Sequence, residues 1–147
     1  MKIGYIPTRR NNFSVEAALF YKKKIRQIIE VISPEIVDLE DINSEGLLWK
    51  QADVPKVIEK MRREQVDALF FPHCNFGSEG VVGQVAAALN VPVLLYGPRD
   101  DAPALDGMRD RDSQCGLFAT GKVLRHHNVT FTYITNVAPD DMVFISG

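Results

Sequence analysis

Residues 67–96 read "DALFFPHCNFGSEGVVGQVAAALNVPVLLY", and their pattern decides the fold class. The apolar runs at 67–71 and 92–96 have the length of buried strands. Between them, apolar residues recur at the three- and four-residue steps of a helix that begins after Ser78. The residues that share this spacing are Val81, Val82, Val85, Ala86 and Leu89. A strand, a helix and a strand in this order indicate two parallel strands joined by a crossover helix.

The same alternation continues on both sides of this unit. Further strands are predicted at 2–6 "KIGYI", 35–39 "EIVDL" and 131–134 "FTYI". Further helices are predicted after Ser14, after Asp53 and from Asp112 or Ser113 onward, because polar capping residues precede segments of helical period. Crossovers between parallel strands are right-handed in about 98% of cases. We therefore expect an α/β, doubly wound three-layer sandwich with a five-stranded parallel sheet in the flavodoxin-like order 2-1-3-4-5.

Composition narrows the class of protein. The 147 residues fit one domain, with 46% hydrophobic and 24% charged residues. The net charge of −2 offers no basic surplus for a nucleic acid, so we expect no such partner. No segment approaches the ~18 apolar residues that span a bilayer, and the start lacks a signal-peptide core, so we expect no membrane partner and a cytoplasmic protein. Two cysteines are too few for a disulfide scaffold.

The end of the chain has a pattern of its own. The turn-forming segment "APDD" at 138–141 is followed by a fresh apolar run at 142–145. We expect residues 1–135 to form a Rossmann- or flavodoxin-like N-terminal domain. Residues 136–147 then begin a linker or the next element of a longer chain.

Polar residues are concentrated after three predicted strands. In a sheet of this order, ligands bind outside the carboxyl ends of the strands, where the strand order switches. The loops that meet there read "PTRRNN" at 7–12, "PHCNFGSEG" at 72–80 and "GPRDDAPALDGMRDRDSQCG" at 97–116. The turn after the first strand has no glycine and no strand is followed by GxxxxGK[ST], so dinucleotide and P-loop nucleotide binding are disfavoured.

These loops supply a set of candidate ligand-binding side chains. Arginine forks suit carboxylate, phosphate or polyol oxygens, amides and imidazole add hydrogen bonds, and a carboxylate accepts from sugar hydroxyls. The candidates are Arg9, Arg10, His73, Asn75, Arg99, Asp100 and Gln114, with Arg109 and Arg111 as further options. The alternative is that the arginines and aspartates of these loops pair with one another and only hold the loops in place.

Catalytic and metal-binding groups are harder to find. Cys74 follows His73, but neighbouring residues of an extended chain point apart, so we expect packed, unreactive thiols at Cys74 and Cys115. Glu79, Asp100 and His73 lie on separate loops with no metal-ligand spacing. We assign no catalytic residue, no metal site and no cofactor within this chain.

Four stretches resemble a known family. They are "IGYIPTRRNNFS" at 3–14, "ALFFPHCNFGSEG" at 68–80, "LLYGPRDD" at 94–101 and "RDRDSQCGLFATGKVL" at 109–124. Together they resemble the N-terminal region of the L-fucose isomerase-like family, which is related to the L-arabinose isomerases. The resemblance covers roughly residues 3 to 134.

The resemblance implies a role in carbohydrate metabolism. Family members are isomerases that interconvert aldoses and ketoses with a divalent metal, typically Mn2+, which is held in a later C-terminal domain. Their N-terminal region contributes to homo-oligomer contacts and helps to close the monosaccharide site of an adjacent subunit. The positions that this implies here are Arg9 or Arg10, the segment from His73 to Asn75, and Arg99 with Asp100.

The chain stops at Gly147, before any such catalytic domain. Aldose–ketose exchange needs an acid–base group and an electrophile that polarises the carbonyl, and no persuasive set is found here. We therefore expect the N-terminal domain of an isomerase, with little or no turnover by itself. The alternatives are a stand-alone module that binds a sugar or small anion, or serves assembly, without catalysis, and a thiol-dependent hydrolase or transferase.

Overall fold

The computed structural model describes residues 1–33 and 35–146. Its centre is one sheet of five parallel strands in the order β2-β1-β3-β4-β5, which confirms the predicted fold class and strand order. The strands are β1 (Ile3–Tyr5), β2 (Ile36–Val37), β3 (Ala68–Pro72), β4 (Val93–Pro98) and β5 (Phe131–Val137). The helices are α1 (Val15–Ile32), α2 (Val54–Arg63), α3 (Glu79–Leu89), α4 (Ser113–His126) and α5 (Met142–Ser146), with a 3-10 turn at Gln51–Asp53.

Helices cover both faces of the sheet. Alternate residues of β3 point to opposite faces, so Leu69 and Phe71 join one apolar cluster while Phe70 joins the other. The first cluster includes buried residues of α2, α3 and α4, such as Val57 and Val85. The second contains buried residues of α1 and α5. Helices, sheet and helices therefore form the three layers.

Several element boundaries differ from those predicted. The strand predicted at 35–39 is reduced to Ile36–Val37. By contrast, β4 continues to Pro98 and β5 to Val137, because Gly97 and Pro98 still pair with Thr135 and Val137. Helix starts are closer to expectation: the Ser14 hydroxyl accepts a hydrogen bond from the Ala17 amide at 3.1 Å, as an N-cap does.

The C-terminal residues pack against the sheet. The Phe144 ring of α5 is buried and stacks on Tyr96, with 4.4 Å between the ring centroids. The assignment of residues 136–147 to a linker or to the next element of a longer chain stays a prediction, and Gly147 lies outside the described residues. Across the described ranges, 1–33 and 35–146, none of the helices has the length and apolarity needed to cross a membrane.

Helix α4 approaches the loop that follows β3 so closely that only glycine fits at Gly116. A Cβ atom built at this position overlaps the backbone carbonyl of Phe76. Because the obstacle is backbone rather than a mobile side chain, a larger residue must push the helix away from the loop. Gly80, in the first turn of α3, has open space at the same position.

Replacing Gly116→Ala is expected to destabilise the protein by about 3 kcal/mol or more, since overpacking against backbone cannot be relieved locally. The matched change Gly80→Ala is expected to be neutral or to stabilise by about 0.5–1 kcal/mol, because alanine favours the helix. Urea unfolding followed by circular dichroism measures both. Equal stability of the two variants would contradict this packing.

His73 connects β3 to β4 and α4 from inside the protein. Its side chain is wholly buried, its Nε2 lies 2.8 Å from the Thr120 hydroxyl, and its Nδ1 lies 3.3 Å from the Tyr96 carbonyl oxygen. Burial disfavours the imidazolium and lowers the pKa of His73 to about 4. The neutral ring is therefore the form that the folded protein holds at neutral pH.

Folding should weaken as the pH falls below about 6.5, because the unfolded chain then binds a proton at His73 that the folded protein excludes. Between pH 7 and 4.5 the loss from this residue is about 2–3 kcal/mol. The His73→Gln variant keeps a polar group but does not titrate, so its free energy of unfolding should fall less over this interval. An identical pH dependence in both proteins would show that His73 is not held neutral.

Candidate functional site

The loops at the carboxyl edge of the sheet meet at the side chain of Asn75. Its Oδ1 accepts from the backbone amides of Arg10 at 2.8 Å and Phe76 at 2.6 Å. Its Nδ2 donates to the carbonyls of Arg10 and Ser14, each at 3.1 Å. The Asn75 carbonyl accepts from the Asp112 amide at 2.8 Å. This wholly buried residue therefore joins the loops after β1, β3 and β4, and its amide has no capacity left for a ligand.

The long loop after β4 is fixed at its base by Asp100 and Arg111. Asp100 Oδ1 accepts from Arg111 Nη2 at 3.0 Å and from the amide and hydroxyl of Ser113 at 2.9 and 2.8 Å. The buried Arg111 guanidinium also lies 3.4 Å from the ring centroid of Tyr21 in α1. Residues 101–110, between these anchors, are exposed. Asp100 therefore orders the start of α4, and its Oδ1 is saturated by the protein itself.

Gln114 and Arg99 lie beside the same loop. Gln114 Nε2 donates to the carbonyls of Gly97 at 2.8 Å and Pro98 at 3.0 Å, and its Oε1 accepts from the Thr135 hydroxyl. Arg99 is exposed, and its side-chain Nε and Nη2 each lie 3.3 Å from the Asn136 carbonyl oxygen. Of these two predicted ligand-binding residues, Arg99 has the freer side chain.

Arg9 forms an ion pair inside the protein. Its Nε and Nη2 donate to the two carboxylate oxygens of Glu45 at 2.7 and 2.9 Å, and its guanidinium lies 3.8 Å from the Trp49 ring centroid. The hydrogen bond from Arg9 lowers the pKa of Glu45 below its ordinary value. The arginine is 4% exposed, so it ties the loop after β1 to the loop after β2 and does not face solvent.

Arg10 keeps part of its side chain in solvent. Its guanidinium pairs with Glu79 and lies 4.2 Å from the Phe76 ring centroid, while 30% of the side chain stays exposed. It lines an open groove together with Asn11, Asn12, Trp49, Lys50, Gln51, Ala52 and Ser78. This groove, called the Arg10 groove below, offers amide, hydroxyl, ammonium and guanidinium groups. It is suited to a polyhydroxy or anionic ligand.

The remaining candidates do not form a reactive centre. His73 and Cys74 are wholly buried, and burial raises the pKa of the Cys74 thiol to about 12. Cys115 is exposed, so the expectation of a packed thiol is wrong there, but its hydrogen bond to Asp112 raises the pKa of this thiol above its ordinary value. Neither thiol has the lowered pKa of a nucleophile.

A divalent metal does not fit the part of the chain that the structure describes. No group of three histidine, cysteine, aspartate or glutamate side chains among these residues is close enough to hold an ion. Glu79 is engaged by Arg10, and Asp100 by Arg111 and Ser113. No step of a reaction is therefore assigned to a metal bound by these residues.

The ligand-binding residues predicted from the sequence include none from the loop after β2. Glu45 pairs with Arg9, and Trp49, Lys50 and Gln51 form one side of the Arg10 groove. The strand-order rule directs attention to the loops after β1, β3 and β4, but the isolated bridge from Thr8 to Leu48 brings this fourth loop to the same edge. The run "LLWK" at 47–50 is the feature of the sequence that could have indicated a role for this loop.

Comparisons with known proteins identify the family of this chain. A family model described as the fucose/sulfoquinovose isomerase N-terminal domain matches residues 4–145. A sulfoquinovose isomerase of Priestia aryabhattai is 22% identical over 135 residues, covering 88% of this chain and 28% of that protein. The sulfoquinovose isomerase of Priestia megaterium (strain ATCC 12872 / QMB1551) gives the same values.

The chain thus spans less than a third of the length of these curated relatives. The match to the family model includes β2 to β5, all of β1 except Ile3, and the three loops joined at Asn75. It also confirms the resemblance to L-fucose isomerase-like proteins found in the four sequence stretches. The chain belongs to the family of fucose/sulfoquinovose isomerase N-terminal domains.

Proposed function

We propose that this chain acts as the N-terminal domain of a metal-dependent aldose–ketose isomerase, in which the Arg10 groove helps to bind the sugar at a boundary between subunits. The family match over residues 4–145 supports the isomerase assignment. The observation that carries the binding role is Arg10, a solvent-facing arginine held in a groove of hydrogen-bonding side chains. The proposed partners are a monosaccharide and further copies of the same protein.

The chemistry of the reaction assigns substrate binding to this domain and catalysis to the rest of the protein. Moving a proton between adjacent carbons needs an acid–base group, and the carbonyl must be polarised by an electrophile. The described part of this chain offers no cluster for a metal, and His73 and Cys74 are buried. We assign the divalent metal, Mn2+ in this proposal, and the proton transfer to a longer protein that contains this domain. The role of the residues described here is to bind and orient the substrate.

The position of Arg10 is fixed before a ligand arrives. Asn75 holds its backbone at both the amide and the carbonyl, and the Phe76 ring lies against its guanidinium. Pre-organised donors lose less conformational entropy on binding. The pair with Glu79 is partly exposed, so a sugar hydroxyl or an anionic substituent can share the guanidinium without breaking a buried ion pair.

The openness of the groove supports a site completed by a second surface. Asn11, Asn12, Lys50 and Gln51 are all exposed. Small-molecule sites usually bury about 70–90% of their ligand, which an open groove does not achieve. A second polypeptide surface that covers the groove would provide the missing burial. A subunit boundary is the arrangement that this geometry favours.

In the full-length isomerase, Arg10→Ala is expected to raise KM for the sugar by about tenfold or more, because one charge-assisted hydrogen bond is lost. The control is Arg63→Ala on α2, which removes another arginine paired with a glutamate, at a position where 62% of the side chain is exposed. Steady-state kinetics of both variants provide the measurement. Unchanged kinetics in Arg10→Ala, with native stability, would remove this arginine from the site.

Arg9→Ala is expected to act on stability instead. Removing the partner of the half-buried Glu45 should lower the free energy of unfolding by about 1.5–3 kcal/mol, the usual range for charged hydrogen bonds. KM should change little in the fraction that stays folded. A stable Arg9→Ala protein with a raised KM would mean that Arg9, rather than Arg10, contacts the sugar.

Isothermal titration of the 147-residue chain with aldoses and polyols separates this proposal from a stand-alone binding module. The isomerase proposal predicts no saturable binding below millimolar concentration, because the second surface is missing. Saturable binding in the presence of a chelator would favour a module that binds a sugar without transforming it.

A further inference from the structure

The outer edge of β5 is an unprotected strand edge. Within residues 1–33 and 35–146, β5 pairs with β4 on one side and has no strand on the other. At the opposite edge of the sheet, β2 has two residues, whereas β5 has seven, "FTYITNV". None of the seven is charged and none is proline. Such an edge presents unpaired amides and carbonyls to any extended chain that approaches it.

Natural edge strands are usually blunted by lysine, proline, a bulge or short length. The one irregularity here lies at Asn136, where the register shifts opposite Gly97 and Pro98. The pairing of residues 131–135 with β4 is regular. Among the described residues, an uncharged segment, 131–135, is therefore left without a strand on its outer side.

An aromatic groove runs beside this edge, between β5 and α4. The exposed fraction is 60% for Phe118 and 53% for Tyr133, and Phe131 also lines the groove. Phe131 and Tyr133 are in contact, with 6.5 Å between their ring centroids. Exposed aromatic rings next to a free strand edge can receive every second side chain of an added strand.

The charge around this groove has one sign. Lys122, Arg125 and His126 line it, and no aspartate or glutamate occurs from residue 113 to residue 139. The chain as a whole has a net charge of −2, so this basic surface is a local feature. It favours a partner with carboxylates.

We propose that the β5–α4 edge binds an extended polypeptide segment as a sixth strand of the sheet, and that the side chains which this segment points toward α4 include both apolar residues and carboxylates. Backbone pairing with 131–135 supplies affinity, the aromatic groove receives the apolar side chains, and Lys122 and Arg125 pair with the carboxylates. A second copy paired through its own β5 would bring two surfaces of the same charge together, which opposes that arrangement. This binding site does not depend on the proposed isomerase role.

The probe is a fluorescein-labelled heptapeptide whose first, third, fifth and seventh residues, which share one face of a strand, are valine, glutamate, valine and glutamate, with threonine at the other positions. It is titrated with the chain at physiological salt and followed by anisotropy. Saturable binding is expected. Tyr133→Lys, and separately Lys122→Glu with Arg125→Glu, should weaken it by about tenfold or more. Phe20→Lys is the matched control, since Phe20 is 62% exposed on α1, and it should leave binding unchanged.

Two further probes isolate the mechanism. The same peptide methylated at every backbone nitrogen should not bind, because it cannot pair with a strand edge. Equal binding of the methylated peptide, binding of a thymidine oligonucleotide in place of the peptide, no saturation, or a β5-dependent dimer in sedimentation would each overturn the proposal.

Discussion

The carboxyl edge of this domain depends on the buried carboxamide of Asn75. Its two acceptor and two donor contacts connect the loop after β1, the N-cap residue Ser14 of α1 and the loop after β3. Its backbone carbonyl adds the start of α4 through Asp112. Each such hydrogen bond contributes roughly 1 kcal/mol, but a buried partner left unpaired costs more. Local loop positions are therefore coupled, and Arg10 reaches the groove because Asn75 fixes its backbone on both sides.

The arginines at the carboxyl edge of the sheet fall into two groups, which differ in how deeply their side chains are buried. Arg9 and Arg111 are buried, and each is neutralised by a carboxylate and placed against an aromatic ring. Arg10 and Arg99 keep part of their guanidinium in solvent. The charged loop at 97–116 shows the same division, since its base at Asp100 and Arg111 is ordered by internal pairs while 101–110 is exposed. Internal pairing thus accounts for Arg9, Asp100 and Arg111, whereas Arg10 and Arg99 keep exposed surface for the proposed ligand.

The fold could be predicted from the sequence because the patterns that indicate its helices and strands lie within short segments of the chain. The helical steps after Ser78, the short apolar runs and the right-handed crossover rule were enough to give the strand order. The site was less predictable because it depends on contacts between distant residues. Arg9 and Glu45 are 36 positions apart, and Asn75 and Arg10 are 65 apart. No spacing rule indicates that Asn75 and His73 point inward while Arg10 points outward.

Amide hydrogen exchange on the 147-residue chain tests most directly whether this edge is built in advance by Asn75. The account predicts slow exchange at the amides of Arg10 and Phe76, which donate to Asn75, and fast exchange at Leu105, which is exposed in the loop after β4. The Asn75→Ala variant should expose the first two amides while the amides of β3 stay protected. Exchange at Arg10 as fast as at Leu105 in the unmodified chain would contradict the account.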